Sequence, residues 1–382
     1  MKGRLVYPYS GKLLQYEFSK THPLKPERLR LTFELSKMVG LIDRVELTDP
    51  ALATREDLEM FHSPDYIDAV VACATDTRIN ARYGLGIADN PIFPEIYDAA
   101  RGYVGATLDA ADRILRGASR AFVISGGLHH AQRSEASGFC IFNDIVLAIM
   151  RIQKKKPCRV LYFDFDAHHA DGVQNAFYRS KDVLTISIHQ TGKTLFPGTG
   201  FVYETGAGDG VGYAVNIPLL PGSGSPELKR TFDEIVVPLM ERFRPNLLVT
   251  QLGVDAHYMD PLANLAFTTQ GYEHVLLKLR KLSSDICDMG WLATGGGGYH
   301  VVNVARLWTL FLADLLDEKV PERLPEEFIN ACGDFNPATC PTTFRDPQEV
   351  VQMYLSREEV EMDLERVIRR LQELVFPYHG LA

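Results

Sequence analysis

Between Asp164 and Asp171 the chain sets three aspartates and two histidines in eight positions, DFDAHHAD, at the end of the apolar run VLYF. Charged and titratable groups are rarely buried unless they are paired or hold a metal. Side chains of a strand alternate faces, so Asp164 and Asp166 point one way and Phe163 and Phe165 the other, and His168 joins the aspartates as the chain leaves the strand. Two carboxylates that close repel unless a cation neutralises them. A divalent metal bound through oxygen and nitrogen meets that demand. A catalytic zinc keeps three protein ligands and an open position for water. Asp166 and His168 supply two, and Asp255, in LGVDAH at another strand end, is the best third. Taken alone, Asp171 reads equally well as the cap of a helix DGVQNAFY; the cluster as a whole does not read as a surface feature.

Two further loops could join this chemistry. His129 and His130 follow SGGL, and paired histidines can act as general base and electrostatic partner for an activated water. Each needs a carboxylate to set its tautomer, and Asp164 and Asp171 are the acids left unassigned. The run of four glycines at 295–298 lacks both the GxGxxG spacing and the GK[ST] ending of phosphate loops. It suggests close backbone approach, with Tyr299 behind it to offer a hydroxyl to a developing oxyanion.

The elements that must position these residues are apolar runs of strand length alternating with helical stretches. Strands are expected at 120–125, 159–165, 183–189, 213–218, 246–253 and 291–295, apolar on both faces as in a covered parallel sheet. Helices are expected at 94–116, stopped by Gly117, at 143–154 with Asn143 or Asp144 as cap, at 225–242, at 269–288 with a capping threonine, and from Ser63-Pro64 onward. The pattern predicts an α/β fold with a parallel sheet. Ligands bind beyond the carboxyl ends of such strands. SGGLHHA, DAHHADG, GVDAH and GGGGYH all follow strands.

Composition narrows the classes. The chain has 382 residues, 46% hydrophobic and 23% charged, with no linker before about residue 320, so a single domain over 1–382 is expected. A net charge of −9 argues against nucleic acid as the main partner. The one basic run, Lys154–Lys156, suits a helix C-terminus. Six scattered cysteines without a CxxC read as reduced thiols. Without an apolar signal core or a run of about 18 apolar residues, a cytoplasmic location off the membrane is expected.

Taken together, SGGLHHA, SGFCIFND, FDFDAHHADGV, SIHQ…LFPGTG, LGVDAH and GGGGYHVVNVARLW resemble the ordered motifs of the zinc-dependent histone deacetylase superfamily. The likeness is greatest to its class I-like bacterial branch, the acetoin-utilisation deacetylases. HPLKPER, FHSPDYI and YGLGIADNPIFPEIYDAA extend it, so that it covers roughly residues 15–315. The resemblance implies the arginase/deacetylase fold around a central parallel sheet of eight strands, two of them not identified above. It makes Asp166, His168 and Asp255 the metal ligands. It makes His130, backed by Asp171, the general base, and His129, backed by Asp164, its partner; Tyr299 becomes the oxyanion stabiliser. Gly138, Phe139 and Phe196 would wall a tunnel for an acyl-lysine, Asp89 would hold the substrate backbone at its rim, and Arg28 would stand near a product exit. A structural potassium site would use Asp164, Asp166, His168, Ser187 and Ile188.

The implied reaction is metal-dependent hydrolysis of Nε-acetyl-lysine in a protein, with an acetyl-CoA synthetase as the implied partner. Zn²⁺ is the expected cofactor, and the ligand types also accept Fe²⁺. The alternatives are deacetylation of small amines such as acetylpolyamines and, further off, a silent acyl-lysine reader or arginase-like chemistry. The intact ligand set argues against the reader and the single-metal pattern against the arginase reading. Oligomeric state stays open. Ala170 stands where the family often has glycine. The tail after about residue 320, with an amphipathic helix near 356–375, carries no functional signal of its own.

Overall fold

A computed structural model describes residues 5–332, 340–347 and 356–381. Eight strands form one parallel sheet: β1 (Val6–Pro8), β2 (Glu46–Thr48), β3 (Arg120–Val123), β4 (Val160–Asp164), β5 (Val183–Gln190), β6 (Ala214–Leu219), β7 (Leu247–Gln251) and β8 (Gly290–Thr294). Their order across the sheet is β2-β1-β3-β8-β7-β4-β5-β6. β4 and β5 are buried along their whole length, which is why they are apolar on both faces.

The helices, in chain order, are α1 (Glu27–Met38), α2 (Arg55–Leu58), α3 (Pro64–Asp76), α4 (Ile96–Leu115), α5 (Asp144–Lys155), α6 (Asp171–Phe177), α7 (Ser225–Thr231), α8 (Val237–Phe243), α9 (Thr269–Ile286), α10 (Val301–Leu316), α11 (Glu326–Cys332) and α12 (Arg357–Leu374). They flank the sheet, with α4 packed on α5, and α10 packed on both α1 and α9. Among the described residues no helix is long and apolar enough to cross a membrane. The six cysteines are free.

The six expected strands are present, most of them shorter at the carboxyl end. β4 shows the reason: the Asp164 carboxylate accepts from the Asp166 amide at 2.9 Å, so the backbone turns from its ladder to its own side chain one residue before Phe165. The two strands not anticipated, β1 and β2, have three residues each, too few for a periodic signal. The expected helix at 225–242 divides into α7, a π turn over Phe232–Val236, and α8, where Pro238 supplies no amide to the preceding turn. Thr268, rather than Thr269, precedes α9 and makes no capping bond. Asn143 does cap α5, accepting from the Val146 amide at 3.1 Å.

Sheet order explains the convergence of the loops. β3, β8, β7 and β4 are consecutive neighbours. The loops that leave their carboxyl ends carry, in that order, His129 and His130, Tyr299, Asp255, and the Asp166/His168 pair. Residues up to 170 positions apart in sequence are thereby set side by side.

Candidate active site

The loop after β3 is clamped before it presents its histidines. Asp144, fully buried at the start of α5, accepts from the Leu128 amide at 2.9 Å, the Gly127 amide at 3.0 Å and the Thr107 hydroxyl at 2.6 Å. Its neighbour Asn143 donates to the carbonyls of His129 and Ala131 at 3.1 and 3.0 Å. The Asn143 amide in turn donates to Nε2 of buried His62 at 3.0 Å. These bonds account for the FND and FHS segments of the sequence.

His129 and His130 then face each other, Nε2 to Nε2 at 3.0 Å. His129 Nδ1 lies 2.8 Å from Asp164 Oδ2, and His130 Nδ1 lies 2.7 Å from Asp171 Oδ1. Asp171 also accepts from Gln132 at 2.8 Å, and it is the first residue of α6 rather than its N-cap, so its pairing with His130 is the use that stands out. Burial opposes charge on His129, but Asp164 and Asp166 outweigh it and lift the imidazole to about 9. Burial, reinforced by the charge of His129, holds His130 well below the ordinary imidazole range. Burial also pushes the Asp171 carboxyl up to about 6.

Asp166, His168 and Asp255 are all buried, and their potential ligand atoms lie within 4.8 Å of one another. His168 Nδ1 is 3.1 Å from Asp166 Oδ1 and 2.9 Å from Asp255 Oδ2. Asp166 Oδ2 accepts from Gln251 at 2.8 Å and from the Gly297 amide at 2.7 Å, and Asp255 Oδ1 accepts from the Ala167 amide at 2.7 Å. Burial opposes the charge of His168, yet Asp255 and Asp166 raise it to about 10. Burial and then Asp166 push the Asp255 carboxyl up to about 6. The two carboxylates thus favour positive charge at this spot, and two carboxylates with an imidazole fit a zinc- or iron-class divalent ion.

The glycine run brings Tyr299 to the same spot. A Cβ at Gly297 would overlap the carboxylate oxygens of both Asp255 and Asp166, and one at Gly127, whose φ is +97°, would lie 2.7 Å from the Gly296 nitrogen. The two loops therefore pack backbone to backbone, as only glycine permits. The Tyr299 amide donates to Asp260 at 2.7 Å. Burial, then Asp255, raises the Tyr299 phenol well above its usual range, so it keeps its donor hydrogen.

A cavity of about 20 Å³, roughly one water's worth, lies among these groups, lined by Arg28, His129, His130, Gly138, Phe139, Asp166, Gly297 and Tyr299 among others. The Phe139 ring is 5.7 Å from that of Tyr299, and the half-exposed Phe196 ring is 5.0 Å from His130. Gly138 and Phe139 both have positive φ, at +50° and +67°, and the Tyr16 hydroxyl donates to the Phe139 carbonyl at 2.8 Å to hold the turn. Asp89 is exposed and acts electrostatically on His22, whose ring is 4.5 Å from Phe139. Arg28 donates to the Gly296 carbonyl at 2.6 Å and lies over Trp308. Asp164 sits opposite Ser187 in the β4–β5 ladder, with Ile188 next along. Ala170, at φ −76°, lies outside the left-handed region, so its backbone does not require glycine. A much larger cleft of about 870 Å³ opens beside Arg120 and Gly290, at the other end of the sheet, and contains none of these residues.

Sequence reasoning missed Gln251, Asp260, Gln132, His62 and the Asn143–Asp144 clamp as supports of the site. Gln251 left one signal, a polar residue at the end of the apolar run NLLVT. The others act through folded contacts.

A parallel sheet with a buried carboxylate–histidine cluster at its carboxyl edge is the architecture of a metal-assisted hydrolase. The Histone deacetylase domain model matches residues 22–315, and the chain belongs to that family. It is 39% identical over 350 residues to the acetoin utilization protein AcuC of Bacillus subtilis (strain 168), covering 90% of both chains. It is 38% identical to Histone deacetylase 9 of Arabidopsis thaliana over 85% of this chain and 76% of that one. The crystal structure of an HDAC homolog from Aquifex aeolicus superposes with a TM-score of 0.85 at 31% identity, over 96% of this chain and all of that one. The chain is thus a deacetylase-family, AcuC-like hydrolase.

Two outcomes follow from this geometry. Gly297→Ala should lower divalent-metal affinity without unfolding the protein; calorimetric titration with Zn²⁺ giving the parent's affinity would refute the crowding argument. His62, fully buried, is held by burial at about 3, below its unfolded value of 6.5. A depressed histidine contributes stability that is present above the unfolded pKa and lost as pH falls toward the folded one. Urea unfolding should show up to about 2 kcal/mol lost between pH 6.5 and 5 through this group. His62→Gln should show a shallower loss over that range.

Proposed function

We propose that this protein hydrolyses Nε-acetyl-lysine in protein substrates, with Zn²⁺ or Fe²⁺ held by Asp166, His168 and Asp255. The observation that carries this reading is the meeting of two oriented histidine–aspartate pairs and a three-ligand cluster beside one narrow cavity lined by His129, His130, Phe139, Asp166 and Tyr299. A divalent ion bound there would polarise the amide carbonyl and acidify a water. His130, oriented by Asp171, takes the proton of the attacking water. Tyr299 donates to the oxygen that becomes the tetrahedral oxyanion. The His129–His130 pair then returns a proton to the lysine nitrogen as the C–N bond breaks, leaving acetate and a free amine. Gly138 makes room for the wall, Phe139 and Phe196 pack the apolar four-carbon stem, and Asp89 at the rim accepts from the substrate backbone. Acetylation removes the lysine charge, so the stem enters an apolar wall at no cost in desolvated charge.

The test is steady-state hydrolysis of an acetyl-lysine peptide by metal-stripped protein before and after adding Zn²⁺ or Fe²⁺. Turnover that appears only with metal is expected. Stoichiometric metal binding without peptide turnover would reject the protein-lysine substrate, and acetylspermidine would then be the substrate to assay.

Tyr299→Phe should lower kcat by about 10²–10³-fold and leave metal content unchanged. Asp255→Ala should lose metal and activity together, and full zinc occupancy by elemental analysis would remove it from the ligand set.

A further inference from the structure

The segment 340–347 bears no motif, yet it carries an aspartate into the core behind the active site. The Asp346 side chain is 1% exposed. Its Oδ2 accepts from His257 Nε2 at 2.9 Å and from the Thr269 amide at 2.8 Å, and its Oδ1 accepts from Arg306 at 2.7 Å. Its backbone is pinned as well: the Asp346 amide donates to the Thr269 hydroxyl at 2.9 Å, and Gln270 donates to its carbonyl at 2.8 Å. The carboxylate is thus fully engaged, and all its partners lie far from it in sequence.

What those partners carry sets this cluster apart from an ordinary buried ion pair. His257 lies two residues after Asp255, and Arg306 lies seven after Tyr299, on the helix that the tyrosine loop enters. His257 Nδ1 accepts from the Met259 amide at 3.2 Å and from Asn303 of α10 at 2.9 Å, which leaves Nε2 as the nitrogen that donates to Asp346. The His257 carbonyl accepts from the Asp260 amide at 2.8 Å, and the Asp260 carboxylate accepts from the Tyr299 amide at 2.7 Å. One chain of bonds therefore runs from Asp346 through His257 and Asp260 to Tyr299, and a second runs from Asp346 through Arg306 to α10.

We infer that Asp346 is a positioning residue that holds the Asp255–Asp260 loop in register with α10, and so fixes the distance between the third metal ligand and Tyr299. The inference rests on the proposed metal site for its meaning and not on the identity of the acyl substrate.

The test uses the full chain with Asp346→Asn, which keeps shape and removes charge, and Thr269→Val, which frees the Asp346 amide and leaves no charge unpaired. Zn²⁺ affinity is measured by competition with a chromophoric chelator, and kcat and KM are measured on the acetyl-lysine peptide well below each variant's melting temperature. Asp346→Asn should weaken zinc binding and kcat by about 10–100-fold, the range for groups that orient metal ligands, with KM within about twofold. Thr269→Val should move both the same way by less. Arg345→Ala, which breaks the exposed ion pair between this segment and Glu273 of α9, should leave both unchanged. Parent-like affinity and kcat in folded variants, even with a lowered melting temperature, would overturn the inference and leave Asp346 a structural group. If Asp346→Asn does not fold, Thr269→Val decides. If the parent shows no turnover, the substrate reading fails while the zinc comparison still decides the role of Asp346.

Discussion

The repulsion between Asp166 and Asp255 is the constraint that the rest of the site answers. Two like charges about 4 Å apart at an effective dielectric of 20 oppose each other by about 4 kcal/mol. Here both are buried, with His168 between them. The protein meets the remaining lone pairs with dipoles: the amides of Ala167, His168 and Gly297, and the side chain of Gln251. Those donors come from the loops after β4 and β8 and from the end of β7. No local segment could supply them, and the order β8-β7-β4 is what makes them neighbours.

That arrangement holds only if the loops have one conformation, since a buried carboxylate that loses a donor bears the full cost of its desolvation. Each loop is therefore tied to something stiffer than itself. Asp144 and Asn143 bind the histidine loop to the start of α5. Asp260 holds the tyrosine loop. Close backbone contact between Gly127 and Gly296 removes the slack between the two loops. The network of Asp346, His257 and Arg306 belongs to the same system, with its anchor outside the motif-bearing region.

Much of this was legible in the sequence. DFDAHHAD alternates in a way that a strand end dictates, and the clusters after the strands of β3, β4, β7 and β8 pointed to one edge of a sheet. Local period and residue chemistry carry that information. β1 and β2 were not legible, because three residues show no period. Asp346 was not legible for a different reason. Its meaning comes from His257 and Arg306, 89 and 40 residues away. The helix expected at 225–242 is present over 225–243, but the π turn inside it leaves no mark in the apolar period; Pro238, which lies where that turn gives way to α8, is its one local signal.

The histidine pair shows why buried charge and function come together here. Two adjacent imidazoles 3.0 Å apart cannot both be charged, and nothing in HH itself says which one is. The second carboxylate decides it. His129 has Asp164 against its ring and Asp166 within reach, so it holds the proton; burial and the charge of His129 itself keep His130 uncharged. Environments that drive a pair of titratable groups apart define a donor and an acceptor. The same Asp166 that needs a cation at the ligand cluster also stabilises charge on His129. A divalent ion bound at Asp166 would compensate the same charge, so that metal binding and the proton inventory of the pair would be one equilibrium.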